Sequence, residues 1–330
     1  MVIVDLPSTK TATGDERRVG VEIEMNGVPL QQLAQLIADE LDLTLNAEGR
    51  YQYRLTGDSA GDWQVEVDFR LLKEMGQQDY QAGEWSDEFK QRLESMLHRV
   101  SEPFVPLELV SPPLPLSRLN EVEKLSQRLH AAGAKGSSNQ LTNAFGLQFN
   151  PELPALDANT IRRYLQAFVC LEEWLKQRDQ TDLARRVTPY IDPFPRDYVR
   201  HLLAADYQPD LATLIDDYLH WNPTRNRPLD MLPLFTELDE SRVRAVADDP
   251  LIKARPTFHY RLPDCQIQRA DWSPALAWDD WCQVEFLAFD EARLAECSAA
   301  LRRYLRNPLK RWFKDWVVEL EAQWLLPSSQ

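Results

Sequence analysis

Strands are predicted where hydrophobic and polar residues alternate along the chain. Val19, Val21, Ile23 and Met25 take every second position, which is the period of a half-buried strand. Extended stretches are predicted at residues 18–25, 49–57, 63–69, 105–110, 145–150 and 257–262. Because successive side chains of a strand point to opposite faces, the alternating strands each have an apolar face suited to burial.

Helices are predicted where apolar residues recur every three to four positions. Leu30, Leu33, Ile37 and Leu41 form one such stripe. Helices are predicted at residues 28–43, 86–100, 119–129, through most of 159–221, and at 272–324 with a break near Asn307-Pro308. Strands scattered among helices, without a regular strand–helix–strand alternation, favour an α+β fold with a mostly antiparallel sheet.

These elements divide the chain into a tail and one domain. Residues 1–16 are polar with little periodicity, which predicts a flexible tail. Residues 17–330 are expected to form a single domain, with a helical insert at about 156–222 and C-terminal helices at about 272–325. A chain of 330 residues, 44% of them hydrophobic, is long enough to bury a sizeable core.

Charge and composition narrow the classes of partner. The chain has 52 acidic and 37 basic residues and a formal net charge of -15, the wrong sign for holding a nucleic acid backbone. The sequence lacks an apolar stretch of the roughly 20 residues that span a bilayer, so a cytoplasmic protein without membrane contact is expected. The cysteines do not form a Cys-x-x-Cys pair, which predicts reduced packing residues rather than a disulfide framework or a zinc site.

The second face of the strands carries the candidate chemistry. In the first strand, Glu22 and Glu24 point the same way, with Cα atoms about 7 Å apart. The polar positions on the other strands are Gln64, Glu66, Asp68, Glu108, Gly146, Gln148, Asn150, Thr257, His259 and Arg261. If the strands share one sheet, its polar face gathers several acids, an imidazole and an arginine.

Two interpretations of this face are open. One face of an antiparallel sheet is often solvated, and polar residues are ordinary there. The first three strands offer almost only carboxylates, however, whose mutual repulsion is costly without a counter-charge. A hard cation such as magnesium, which takes oxygen ligands, would remove that cost.

An ordered set of motifs resembles a known family. The motifs are GVEIEM at 20–25, Trp-x-x-x-x-Asp at 63–68, ELVSPPL at 108–114, FGLQFN at 145–150, TRN at 224–226 and ARPTFHYRLPDC at 254–265. Together they resemble the amidoligase family, which belongs to the glutamine synthetase and glutamate-cysteine ligase superfamily of ATP-dependent carboxylate-amine ligases. The resemblance implies a glutamine-synthetase-like antiparallel sheet with one polar catalytic face, packed by helices.

The resemblance also implies metal ligands. Glu22 and Glu24 fall on the first-strand acids that bind two divalent cations in the family, and Glu108 falls on a later metal-binding glutamate. Gln148 stands where the pattern usually has a histidine, and His259 where it has a glutamate. These two are expected to complete the second cation position, and to hold the cation more weakly than a carboxylate would.

Catalytic and nucleotide-binding residues follow from the same resemblance and from phosphate chemistry. Asp68 matches the aspartate that positions or deprotonates the incoming amine, and a turn residue at the strand end is the alternative. Guanidinium groups match phosphate oxygens, so Arg225, Arg255 and Arg261 are expected to bind nucleotide, together with Asn150. Arg225 and Arg261 are the catalytic arginines of this prediction. For Arg255, a surface pair with Asp248 or Asp249 is the alternative.

The predicted function is that of an ATP- and magnesium-dependent ligase, with manganese as the other candidate ion. Its substrates would be a carboxylate and an amine, either small molecules or peptides. A degenerate module of the same fold that binds nucleotide or peptide without turnover is the alternative, and a metal-dependent hydrolase is a third. The sequence lacks HExxH, GxSxG and GxGxxG motifs, and it leaves a homo-oligomer open.

Overall fold

The computed structural model describes residues 6–68, 105–137, 145–179, 191–306 and 314–326. In these residues nine strands form one sheet, and each of the strand pairings in it is antiparallel. The strands are β1 (Arg18–Met25), β2 (Thr44–Ala47), β3 (Gln52–Thr56), β4 (Trp63–Val67), β5 (Leu107–Val110), β6 (Leu114–Pro115), β7 (Leu147–Pro151), β8 (Leu229–Asp230) and β9 (His259–Tyr260). Their order across the sheet is β2-β3-β4-β5-β1-β7-β9-β8, with β6 paired to the start of β1.

Strand β1 is central because three strands pair with it. It lies between β5 and β7, with Glu24 opposite Glu108 and Glu22 opposite Gln148. Its alternating sequence explains this place, since the apolar side chains of β1 are buried on one face while its acids occupy the other. The register across β5, β1 and β7 therefore brings the polar positions of three separate chain segments onto one face.

Ten α-helices surround the sheet in the described residues. They are α1 (Leu30–Leu41), α2 (Leu119–Ala131), α3 (Ala158–Arg178), α4 (Arg196–Leu202), α5 (Leu211–Trp221), α6 (Leu232–Leu238), α7 (Glu240–Arg244), α8 (Pro274–Phe289), α9 (Glu291–Arg306) and α10 (Lys314–Gln323). Side chains of Asp157, Asp210 and Ser273 cap the first turns of α3, α5 and α8 by accepting backbone N–H bonds. Helix α1 packs on β3 and β4, and α8 packs on α3, α2 and α9.

The α+β class and the antiparallel sheet are confirmed. Helices α3, α4 and α5 occupy the predicted insert, and α8, α9 and α10 the predicted C-terminal region. The predicted helix at 86–100 and the predicted break near 307–308 lie outside the described residues. Within the tail predicted at 1–16, residues 9–17 form a short hydrogen-bonded turn in which Arg17 N donates to Thr9 O.

Some predicted elements differ in extent from the structure. The strand predicted at 257–262 pairs only at His259–Tyr260, with an isolated bridge from Thr257 to Glu152. All four cysteines are buried and free of disulfides, as the sequence predicted. Among the described helices, each is too short or too polar to cross a membrane.

Candidate functional site

Three glutamates lie side by side across neighbouring strands, and we call them the glutamate row. Glu66 of β4 is opposite Glu108 of β5, which is opposite Glu24 of β1. Directly opposite residues on one face have Cβ atoms about 4.5–5.5 Å apart. Burial raises the pKa of Glu66 above its ordinary value, and the nearby charge of Lys253 acts in the opposite direction. The row therefore concentrates negative charge in a partly desolvated place.

The polar face is largely buried, which a solvated sheet face would not be. Glu24, Gln148, His259 and Arg261 are each only 4% exposed. Polar groups are buried at a cost unless they are hydrogen-bonded or paired. This burial therefore favours a polar binding site over the alternative of a solvated sheet face.

A chain of hydrogen bonds crosses this face from β1 to β9, and a longer contact extends it to Asp230 of β8. The Glu24 carboxylate accepts from Gly146 N at 2.7 Å and from Gln148 Nε2 at 2.8 Å. His259 Nε2 lies 2.7 Å from Gln148 Oε1, and His259 Nδ1 lies 3.5 Å from Asp230 Oδ2. The atoms by which Gln148 and His259 were expected to bind a cation thus face each other.

A second set of contacts surrounds Glu22. Asn150 Nδ2 donates to Glu22 Oε1 at 2.8 Å, and Arg255 Nη2 donates to Asn150 Oδ1 at 2.7 Å. The same Arg255 nitrogen lies 3.8 Å from Glu22 Oε1. Arg255 therefore belongs to the polar face rather than to the surface pair with Asp248 or Asp249 that was the alternative.

The two other arginines are joined to each other. Arg261 Nη1 donates to the backbone carbonyl of Arg225, and Arg261 N donates to Pro228 O at 2.9 Å. Arg225 Nη1 lies 3.8 Å from Asp249 Oδ2, so Arg225 and not Arg255 has an aspartate of this loop nearby. The guanidinium of Arg261 thereby fixes the chain that carries Arg225.

Asp68 follows directly after β4, two residues beyond Glu66. It is 7% exposed, and its backbone N donates to Pro106 O at 2.9 Å. Side chains two residues apart on an extended chain share a face, so Asp68 lies on the same side as the glutamate row. Its predicted role with the amine stays a prediction.

Asp230 is a member of the site that the sequence did not indicate. It is wholly buried, and burial raises its pKa to about 6, against the nearby charges of Arg261, Arg225 and Arg255. Its backbone pairs with His259, which places both side chains on one face. Strand β8 has only two residues, too few for a periodic pattern to indicate Asp230.

The alternation of β4 placed Glu66 on the polar face, but no role was predicted for it.

The polar face suits one of the two cations that the resemblance implies. The glutamate row offers the oxygen ligands that magnesium takes. Among the described residues, however, three or more His, Cys, Asp or Glu side chains nowhere converge closely enough to hold a metal ion. A cation at the row fits the donor chemistry, because each Glu24 oxygen keeps a lone pair beyond its bond to Gly146 or Gln148, and it would require Glu108 to turn toward Glu24.

The second cation position does not fit. Glu22 is engaged by Asn150 and lies beside a guanidinium. The amide oxygen of Gln148 and Nε2 of His259 are used on each other, while His259 Nδ1 faces Asp230 at 3.5 Å. At this position a cation would meet the Arg255 guanidinium and the Asn150 amide donor instead of free lone pairs.

Comparison with known proteins gives the family of the chain. A family model described as "Putative amidoligase enzyme" matches residues 15–283, most of the chain and all of the site residues described above. The chain belongs to this amidoligase family. No curated protein matches it.

Proposed function

We propose that the protein is an ATP- and magnesium-dependent carboxylate-amine ligase that forms an amide or peptide bond through an acyl phosphate. The observation that carries this proposal is the buried polar face. The glutamate row lies on β4, β5 and β1, Arg255 contacts Glu22 of β1 and Asn150 of β7, and Arg261 directly follows β9 and bonds the Arg225 carbonyl. Carboxylates that suit a hard cation and guanidinium groups that suit phosphate are the two halves of a site for a metal-bound nucleotide.

Glu24 and Glu108 are the residues that would hold magnesium, with Glu22 and Glu66 next to them. Bound there, magnesium would offset negative charge on the phosphates of ATP. Manganese, which also takes oxygen ligands, is the other candidate. The raised pKa of Glu66 supports a cation at the row, because burial without enough counter-charge disfavours its ionised form.

Arg261 and Arg225 would stabilise the phosphoryl group during its transfer. Both stay charged throughout turnover, and the bond from Arg261 to the Arg225 carbonyl anchors the backbone that carries Arg225. Such preorganised donors act strongly in a site from which water is largely excluded. Arg255 and Asn150, which are bonded to each other, would contact the nucleotide from the β7 side.

The reaction would proceed in two steps that balance. A carboxylate oxygen of the acid attacks the γ-phosphorus of ATP, the bond to ADP breaks, and an acyl phosphate forms. The amine nitrogen then attacks the acyl carbon, the bond to phosphate breaks, and inorganic phosphate leaves. Asp68 would orient the amine and accept its proton.

The substrates we propose are a carboxylate and an amine, either small molecules or peptides, handled in the cytoplasm. Nucleic acid and membrane are not proposed as partners, in keeping with the net charge of -15. A homo-oligomer is left open.

One observation favours the alternative, a module that binds nucleotide or peptide without turnover. The second cation position lacks the donors that the family pattern has, since Gln148 and His259 bind each other. If two cations are indispensable for the chemistry, binding would survive here and catalysis would not.

The test is metal-dependent ADP release from ATP with pools of amino acids, peptides and polyamines. The native protein is compared with Glu24→Gln, and with Glu40→Gln, which alters a surface glutamate paired to Arg128. The proposal expects ADP with a particular acid and amine, equal release by Glu40→Gln, and loss in Glu24→Gln. Binding of Mg-ATP without ADP from any pool supports the alternative. Metal-dependent turnover of a substrate without ATP would instead indicate the hydrolase.

A further inference from the structure

The second cation position of the family pattern is filled by protein groups in this chain. We infer that Glu22, Gln148 and His259 bind no divalent cation, that the Arg255 guanidinium supplies the positive charge there, and that the site takes a single cation at the glutamate row. This inference rests on the proposed ligase function and specifies its metal stoichiometry.

The first step is the direction of the hydrogen bonds. A carboxylate only accepts, so the Gln148 group that lies 2.8 Å from Glu24 Oε1 must be the amide nitrogen. The amide oxygen of Gln148 then faces His259 Nε2 at 2.7 Å, and this nitrogen must carry a proton. A protonated ring nitrogen has no lone pair for a metal. The polarity of the chain, fixed by Glu24, therefore removes His259 Nε2 from the possible ligands. His259 Nδ1 faces Asp230 Oδ2 of β8 at 3.5 Å rather than Glu22 and Gln148, so it does not complete the second cation position.

The second step is the group that lies beside Glu22. Arg255 Nη2 is 3.8 Å from Glu22 Oε1 and also donates to Asn150, which in turn donates to the same Glu22 oxygen. In the described part of the chain, the buried Nε of Arg255 has no hydrogen-bond acceptor. Arg255 thus neutralises Glu22 as a cation would, and it keeps a donor for an oxygen of a bound ligand.

The inference is tested by counting Mn²⁺ ions bound to the full chain, from the loss of the free-ion electron paramagnetic resonance signal. The native protein is expected to bind one ion tightly, and Glu108→Gln to lose it. The double variant Gln148→His/His259→Glu restores the residues usual in the family pattern. It is expected to gain a second ion, whereas His220→Glu, an exposed position outside the sheet, is expected to gain none.

A second measurement does not depend on the double variant folding. The imidazole ¹⁵N resonances of His259 in the native protein, assigned by their loss in His259→Gln, should show a protonated Nε2 that persists at saturating Mg²⁺. Two Mn²⁺ ions on the native chain, or a metal-induced shift of His259 Nε2, would overturn the inference. So would a folded double variant that binds only one ion.

Failure of the inference and failure of the ligase proposal can be told apart. ADP release measured on the same samples reports the proposed function, while the ion count reports the inference. Two bound ions with ADP release would leave the ligase standing and remove the single-cation site. One bound ion without ADP release under any substrate pool would support the single-cation site and count against the ligase.

Discussion

The guanidinium of Arg261 is almost wholly buried and donates a hydrogen bond to the Arg225 carbonyl. We expect Arg261→Ala to lower the rate of ADP release on the order of a hundredfold or more, because a preorganised donor to the transferring group is lost. Steady-state kinetics would measure the rate. Circular dichroism would check that the variant stays folded.

A matched variant separates this effect from loss of packing. Arg118 forms a partly buried ion pair with Asp58, outside the polar face. Arg118→Ala should reduce stability and leave the rate of ADP release close to native. An Arg261→Ala protein with native activity would remove Arg261 from the proposed mechanism.

Asp280 on α8 offers a prediction about pH. Burial raises its pKa from 3.8 to about 6, in spite of its ion pair with Arg178. The folded protein therefore holds this proton more tightly than the unfolded chain. The stability that the protonated group contributes is present below about pH 4 and is lost as the pH rises through about 6. A shift of this size corresponds to at most about 3 kcal/mol.

We expect Asp280→Asn to remove this pH dependence. Relative to the native protein, the variant should be more stable at pH 7.5 than at pH 4.5, as measured by urea unfolding at both values. Asp197→Asn, an exposed residue paired to Arg200, is the control and should show no such trend. An equal difference between Asp280→Asn and native protein at both pH values would contradict the shift.

At the scale of elements, one buried ion pair joins the sheet to two helices. Arg17, at the entry to β1, donates to both carboxylate oxygens of Glu285 on α8, at 3.0 and 2.6 Å. Tyr164 of α3 and Trp281 of α8 donate to the same carboxylate. Because Arg17 and Glu285 are at most 1% exposed, either charge would be costly alone.

We expect Arg17→Met to lower the free energy of unfolding by about 3–5 kcal/mol, since it leaves the Glu285 charge buried without a partner. The double variant Arg17→Met/Glu285→Gln should recover part of that loss, because glutamine is neutral. Its amide oxygen can accept from Trp281 while its amide nitrogen donates to the Tyr164 hydroxyl. Urea unfolding of the native, single and double variants forms a double-mutant cycle. Additive losses would show that the charges are not coupled.

The strands show how far the local sequence determines the fold. The alternation in β1, β4 and β7 was enough to predict strands and to assign their polar residues to one face. Strand β8 has two residues and β2 has four, runs too short for a periodic pattern to reveal them. Short strands form because neighbouring strands pair with them, and the local sequence does not specify that pairing.

The sequence predicted which face of each strand is polar, but not which of the polar residues contact one another. Alternation placed Glu66 and Glu108 on polar faces, but the register between β4, β5 and β1 that makes them one row depends on contacts between distant segments. The bond between Gln148 and His259 has the same origin. Sequence reasoning could name both as candidate ligands and could not show that they would bind each other.

At the scale of the whole molecule, a net charge of -15 opposes the approach of a free nucleotide, which is itself strongly negative. Arg255 of the polar face lies 3.8 Å from Glu22, on the strand that also carries Glu24 of the row, so its attraction for phosphate is offset locally as well. A divalent cation reduces the charge of the nucleotide and of the row together. Nucleotide binding should therefore depend on the metal.

We expect Mg-ATP to raise the melting temperature of the native protein by a few degrees, because a ligand at about 100 times its Kd stabilises the folded state by about 2.7 kcal/mol. ATP with EDTA should give little or no shift, and Mg²⁺ alone a smaller one than Mg-ATP. Glu24→Gln should lose the Mg-ATP shift, whereas Glu40→Gln should keep it. An equal shift by ATP in EDTA would mean that Arg225, Arg255 and Arg261 hold the phosphates without a cation, and the glutamate row would then need another role.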